Sequence, residues 1–213
     1  DGSNPNSASN TYDDQTGITI ENQSSTMVRV RSYQDSFTPG PIRTECYIAM
    51  SSELANFESN LPVIIIDTLD ATIPLPSYNG SQVFHADPII TYASFFDTDE
   101  ASGLSSTKSI SDYSGRAGVN IRGQSTSLLP KRPYKLETWD ENNEDIDVPL
   151  LGFPSDSDWI LNNPYTDRTF MRTMLALEFS NKMGYYSPRT RFVEVFVNEI
   201  SNTLSNKEGL RSS

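Results

Sequence analysis

Cysteine is almost absent. Cys46 stands alone in 213 residues, so no intrachain disulfide forms, and with His85 the only histidine there are too few ligands for a structural zinc site. Basic charge is also scarce: 16 Lys and Arg stand against 28 Asp and Glu, a net charge of −12 at pH 7. That argues against nucleic acid as a partner, because binding it needs a basic stripe to displace counterions. The acidity is spread along the chain and reads as a solubilising surface, not an acidic tail. No run approaches the roughly 18 apolar residues of a membrane span. No basic-then-apolar stretch marks a signal peptide, and a start at Asp1-Gly2-Ser3 without Met is expected of a fragment or a processed product. Internal repeats are missing, and no Ser or Cys nucleophile motif accompanies His85, so a triad hydrolase has no support. Hydrophobic residues make up only 36%, which leads us to expect extensive loops around a modest core.

What is present begins with turn chemistry at Asp1-Gly2-Ser3-Asn4-Pro5. Short strands are expected at Gly17 to Ile20, Met27 to Arg31 and Thr44 to Ile48; in Met27-Val28-Arg29-Val30-Arg31 valine and arginine alternate with period two. Residues 50–60 read as a polar linker with a helical turn at Ser52 to Phe57. Leu61 to Asp67 is β-branched and apolar, the signature of a buried strand. A loop follows to Ser81, a strand at Ile89 to Phe95, a polar loop from Asp97 to Ser114, and a half-buried strand from Gly115 to Arg122 carrying Ala117, Val119 and Ile121 on one face.

From Arg122 to Asn198 the order is strand, loop, strand, acidic turn, helix, strand. Tyr134, Leu136 and Thr138 share one face of a strand that also carries Lys135. A lysine aimed inward from a strand holds phosphate oxygens as a point charge; aimed outward it is a solvated edge residue. Lys131 and Arg132 lie in the preceding loop and read as solvated. A helix is expected over Asp167 to Met183 with Asp167 as its N-cap. On it Phe170, Met171, Met174, Leu175 and Phe179 form an apolar arc with Glu178 near its centre. Buried there, Glu178 needs a cation as partner; exposed, it pairs with Lys182 one turn on. Arg122-Gly123-Gln124-Ser125 is a strand-to-loop turn whose glycine admits close ligand approach and whose Arg and Ser suit phosphate. Asp140 to Asp145 lacks the spacing of a calcium loop and reads as a solvated hairpin turn, so no metal ligand is assigned.

Two resemblances organise these segments. Asp1-Gly2-Ser3-Asn4-Pro5, Ile18-Thr19-Ile20, Val28-Arg29-Val30-Arg31, Asp35 to Pro39 and Thr44 to Tyr47 resemble the latter part of a chitobiase C-terminal-like, fibronectin-type β-sandwich. Leu61-Pro62-Val63, Arg122-Gly123-Gln124-Ser125, Lys131 to Leu136, Leu150 to Pro154, Asp156 to Leu161, Tyr165 to Thr169, Met171-Arg172 and Pro188 to Asn198, in that order, resemble the spore-coat CotH-type kinases, an atypical protein-kinase-like family of bacterial proteins. Arg-Gly-Gln-Ser replaces the family's usual Arg-Gly-Asn-Ser, and Arg172-Thr173 its usual Arg-Asn.

The resemblance implies an α+β chain. Residues 1–49 would be a partial β-sandwich, 50–60 a linker, 61–199 the N-terminal part of a CotH-like domain built as a kinase-small-lobe-like antiparallel sheet with one long helix, and 200–213 an atypical tail, with the large lobe absent. It implies a full-length form that transfers phosphate from ATP, with Mg, to Ser or Thr of a protein substrate. Lys135, Glu178, Arg122, Gly123 and Ser125 would face the nucleotide, and no catalytic residue would lie in this chain, which would be inactive alone. It also implies an extracellular or cell-surface location. The alternative is a non-catalytic surface module for attachment or carbohydrate contact, using aromatics such as Trp139, Trp159, Tyr185 and Tyr186.

Overall fold

The computed structural model describes residues 3–20 and 24–198, and the backbone of 210–212. In chain order the strands are β1 (Thr26–Val30), β2 (Arg43–Tyr47), β3 (Glu58–Ser59), β4 (Val63–Asp67), β5 (Ser77–Asn79), β6 (Gln82–Phe84), β7 (Ile89–Phe96), β8 (Ser105–Ser106), β9 (Tyr113–Ile121), β10 (Tyr134–Thr138), β11 (Asp158–Leu161), β12 (Glu194–Asn198) and β13 (Leu210–Ser212). One helix, α1 (Arg172–Lys182), precedes β12. The chain is α+β, as expected. Asp1 and Gly2 of the opening turn, and Glu199 to Gly209, most of the expected tail, lie outside the described residues.

Seven strands make the main sheet in the order β11-β10-β9-β7-β4-β12-β13. Every pairing is antiparallel except β4 with β12, which run parallel from Glu194 opposite Val63 to Asn198 opposite Asp67. β4 shows why its sequence is an unbroken apolar run. Ile64 and Ile66 enter one cluster with Ala93, Phe95, Ala117, Val119, Ile121, Tyr134, Leu136, Val195 and Val197, while Val63 and Ile65 enter another with Phe96, Phe57 and Phe196. A strand covered on both faces has no reason to alternate polar with apolar. β9 and β10, by contrast, commit Ala117, Val119, Ile121, Tyr134 and Leu136 to the first cluster and turn Lys135 and Glu137 to the other face.

β1 and β2 pair antiparallel from Thr26 opposite Tyr47 to Val30 opposite Arg43. The strand expected at Gly17 to Ile20 is not formed; those residues are exposed loop. The pair lies against the second face of the main sheet through polar contacts. Ser25 Oγ donates to Asp67 Oδ2 at 2.5 Å, and Arg29 Nη2 meets Glu141 Oε2 at 3.0 Å. Arg116, only 3% exposed, donates to Asp140 O at 3.3 Å and Asn143 Oδ1 and touches Met27 Sδ at 3.2 Å. Burial, with a smaller contribution from the Asp67 carboxylate, pushes the Cys46 thiol up to about 12, so this cysteine is an inert packing group.

The helix starts later than its sequence suggests. Phe170 adopts a φ of 57°, which interrupts helical geometry, and regular structure begins only at Arg172. Asp167 still serves the helix start: its carboxylate accepts the Thr169 N–H at 3.1 Å and the Arg172 N–H at 3.0 Å. Gly184, at φ 87°, ends the helix in the conformation glycine adopts most readily. No residue of α1 is buried.

Candidate functional site

β9, β10 and β11 lie side by side, and their register brings the candidate residues to one end of the sheet. Tyr134 opens β10 opposite both Ile121, the last residue of β9, and Leu161, the last of β11. Arg122-Gly123, Arg132-Pro133 and Asn162-Asn163 therefore leave or enter at the same edge. The Arg122 N–H donates to Pro133 O at 3.1 Å, which extends the ladder by one step. Gly123 then takes a φ of 89°, a conformation that favours glycine; a Cβ there would also meet Thr126 Oγ1 at 2.1 Å, so the threonine would have to rotate. Ser125 is exposed at the start of a short 3-10 turn, Ser125–Leu128, anchored by Ser127 to the Gln124 carbonyl and to Tyr78 Oη at 2.7 Å.

Lys135 sits opposite Asn120 and Ile160, on the face away from the main core. Its Nζ is bound by Glu137 on its own strand and by Asp158 Oδ1 across the ladder at 2.9 Å. The hydrogen bonds that it donates to Glu137 and then to Asp158 raise its pKa, so it is a fully charged amine that two carboxylates already neutralise. Trp139 Nε1 donates to Glu137 Oε2 at 3.2 Å, and its ring lies over Gly118.

Glu178 does not meet Lys135. It pairs with Lys182 Nζ at 2.8 Å along the exposed side of α1. The apolar arc expected to carry it inward is open to solvent, with Met171, Leu175 and Phe179 exposed, so nothing forces the carboxylate to find a buried cation. Of the five nucleotide-facing candidates the fold thus gathers Arg122, Gly123, Ser125 and Lys135 around β9 and β10 and leaves Glu178 apart.

Arg132 corrects the reading of its loop as solvated. Its Nε is buried without an acceptor, and Asn163, 5% exposed, has both Nδ2 and Oδ1 buried without partners. The sequence marks neither as a site residue, although Arg132 falls in the Lys131 to Leu136 motif; each sits in a polar loop, and only the strand pairing shows that these loops share a sheet edge.

A second clamp holds the segment before β12. Arg191 donates through Nη2 to Asp97 Oδ1 at 2.6 Å, through Nη1 to Asp97 Oδ2 at 2.9 Å, and to Leu151 O at 2.8 Å. Burial alone raises the Asp97 pKa, but the Arg191 hydrogen bond and the Thr98 N–H outweigh it and hold the carboxyl below its usual range. A depressed folded pKa stabilises above the unfolded value of about 3.9 and loses that contribution as pH falls through the folded value. With both side chains about a third exposed, the pair is worth at most about 1 kcal/mol. Urea unfolding between pH 6 and pH 2.5 should therefore lose an acid-side increment that Arg191→Ala abolishes; equal pH slopes in both chains would refute the assignment.

An open cleft of about 400 Å³ beside this clamp is lined by Glu58, Asp97, Asp99 and Asp112 among others. Four carboxylates repel a polyanion, so the β9–β10–β11 edge and not this cleft is the candidate site.

Residues 119–210 match the family model described as CotH kinase protein. Over that span the chain is CotH-like. The match covers less than half of the chain, takes in β10, β11, α1 and β12, and leaves residues 1–118 outside it. No curated protein and no solved structure matches the chain. The matched CotH-like segment contains Arg122, Gly123, Ser125, Arg132, Lys135, Asn163 and Glu178, every candidate discussed above. Among the described residues no group of three or more His, Cys, Asp or Glu is placed to hold a metal ion.

Proposed function

We propose that this chain is the nucleotide-facing part of a CotH-type phosphotransferase, whose full-length form moves phosphate from ATP to Ser or Thr of a protein substrate. The family match over 119–210 carries this reading. The donor chemistry at the sheet edge is compatible with it, because Arg122, the Gly123 turn and Ser125 offer cationic and hydroxyl groups to phosphate oxygens. Lys135 would contribute by exchanging Glu137 and Asp158 for those oxygens, and Glu178 by leaving Lys182. ATP would supply the transferred phosphoryl group and Mg²⁺ would offset its charge. We assign no residue here to the metal and derive no step through it.

The chain alone should bind Mg-ATP saturably and show no phosphoryl transfer. Calorimetric titration of the purified chain, folded by circular dichroism, tests the first point; an absence of binding would remove the nucleotide reading. Labelled phosphate on an added protein substrate would disprove inactivity. A second reading, a surface-contact module exported from the cell, draws on the exposed aromatics on and just beyond α1: Phe179 is 58%, Tyr185 69% and Tyr186 95% exposed. Glycan retention that depends on Tyr186 would favour it.

A further inference from the structure

The edge where β9, β10 and β11 end holds an unusual concentration of unanswered polar groups. Arg132 Nε and both polar atoms of Asn163 are buried without partners there. Trp159 Nε1 is also buried without an acceptor, but it lies inside the sheet, opposite Leu136 and beside Phe153, and not at this edge. Buried polar atoms in native proteins are almost always paired, and leaving one unpaired costs about 1–3 kcal/mol. Arg132 Nε and Asn163 Nδ2 are N–H donors without an acceptor, while Asn163 Oδ1, and Asn120 Oδ1 one residue before the end of β9, lack a donor; the two donors call for an acceptor such as an anion's oxygen.

Charge points the same way. The chain is acidic, yet Arg122, Lys131 and Arg132 converge on this edge, and none of them has an ion pair among the described residues. Lys135 behaves differently: two carboxylates already hold its amine. A ligand phosphate arriving at Lys135 must displace both Glu137 and Asp158. At Arg132 and Asn163 no carboxylate has to be displaced, and a phosphate that reaches these buried donors supplies their missing acceptors.

We propose that this sheet edge is a phosphate-binding subsite in which Arg132 and Asn163, with Arg122 beside the Gly123 turn, hold the anionic end of the ligand, and that Lys135 is not its principal anchor. The assignment of that ligand as a nucleotide rests on the function proposed above; the subsite itself rests only on the donors and their charge. Guanidinium suits the task better than ammonium, since its planar fork matches two phosphate oxygens at once. Arg122, Lys131 and Arg132 are only partly buried, so their attraction is screened by salt and affinity should fall as ionic strength rises.

The test is titration of the full chain with inorganic tripolyphosphate and, separately, with Mg-ATP, in the parent and in Arg122→Ala, Arg132→Gln, Asn163→Leu and Lys135→Ala variants. Circular dichroism confirms that each is folded, and Arg132→Lys replaces Arg132→Gln if the latter is not. We expect tripolyphosphate to bind the parent and to bind the Arg122, Arg132 and Asn163 variants about tenfold more weakly or worse. Lys135→Ala should weaken binding less than any of these, because its amine must first leave Glu137 and Asp158. Binding of both ligands that vanishes in Lys135→Ala but persists in the arginine variants overturns the subsite and leaves the nucleotide reading standing. Arginine-dependent binding of tripolyphosphate without binding of ATP supports the subsite and removes the nucleotide reading. A folded parent chain that binds neither overturns the subsite.

Discussion

Gly118→Val should lower the unfolding free energy by about 3 kcal/mol, the upper range for overpacking a close-fitted interior. Gly118 is buried in the middle of β9, between Ile90 of β7 and Glu137 of β10. A Cβ at this position would stand 2.1 Å from Cζ2 of Trp139 and 2.5 Å from Cη2. These are ring atoms of a rigid side chain whose Nε1 is bound to Glu137, so the indole cannot yield by a small rotation. The sheet backbone cannot yield either, since β9 is paired on both sides. Urea denaturation measures the loss. Adding Trp139→Ala to the valine variant should restore part of it, because the clash and its partner are removed together. A valine variant within about 0.5 kcal/mol of the parent would show that the indole does not pack on this glycine.

The second large effect is expected at Asp67. This carboxylate is fully buried at the end of β4 and accepts three hydrogen bonds: from Ser25 Oγ at 2.5 Å, Asn198 Nδ2 at 2.6 Å and the Leu69 N–H at 2.8 Å. Ser25 in turn accepts the Ala49 N–H at 3.1 Å, so one side chain joins the end of the pair where β1 starts and β2 finishes to the ends of β4 and β12. Asp67→Ala leaves those donors unanswered and should cost about 3 kcal/mol. It should also loosen the β1–β2 pair over the sheet. Cys46 lies on β2 close to Asp67, and its thiol, pushed up to about 12 mainly by burial, reports that contact. Labelling by a thiol reagent at pH 8 should be slow in the parent and accelerate in Asp67→Ala. An unchanged labelling rate together with unchanged stability would mean that Asp67 does not tie β1 and β2 to the sheet.

The chain illustrates how far local pattern reaches. The run at Leu61 to Asp67 and the period-two face of Ala117, Val119 and Ile121 identified β4 and β9 within a few residues of their observed ends. The same alternation put Tyr134, Leu136 and Thr138 on the buried face of β10 and so set Lys135 on the other. The ordered motifs between Arg122 and Asn198 pointed to the CotH family, and the family match falls on 119–210. Each of these features is written into neighbouring residues, where side-chain period and turn chemistry act directly.

What depended on distant partners was not legible. Glu178 illustrates it: the helical arc was correct as a pattern, but whether it faces a core is decided by what packs on α1, and its carboxylate pairs with Lys182. The parallel union of β4 with β12 joins residues about 130 positions apart, and no local signal carries it. The Asp67–Asn198 and Arg29–Glu141 contacts, and the meeting of Arg122, Arg132 and Asn163 at one sheet edge, arise in the same way. The sequence by itself determined β4, β7, β9 and β10, the buried faces of β9 and β10, and the family likeness. Only the tertiary structure decided which polar groups meet, because an isolated polar side chain is equally well satisfied by water until the sheet brings a partner or takes the water away.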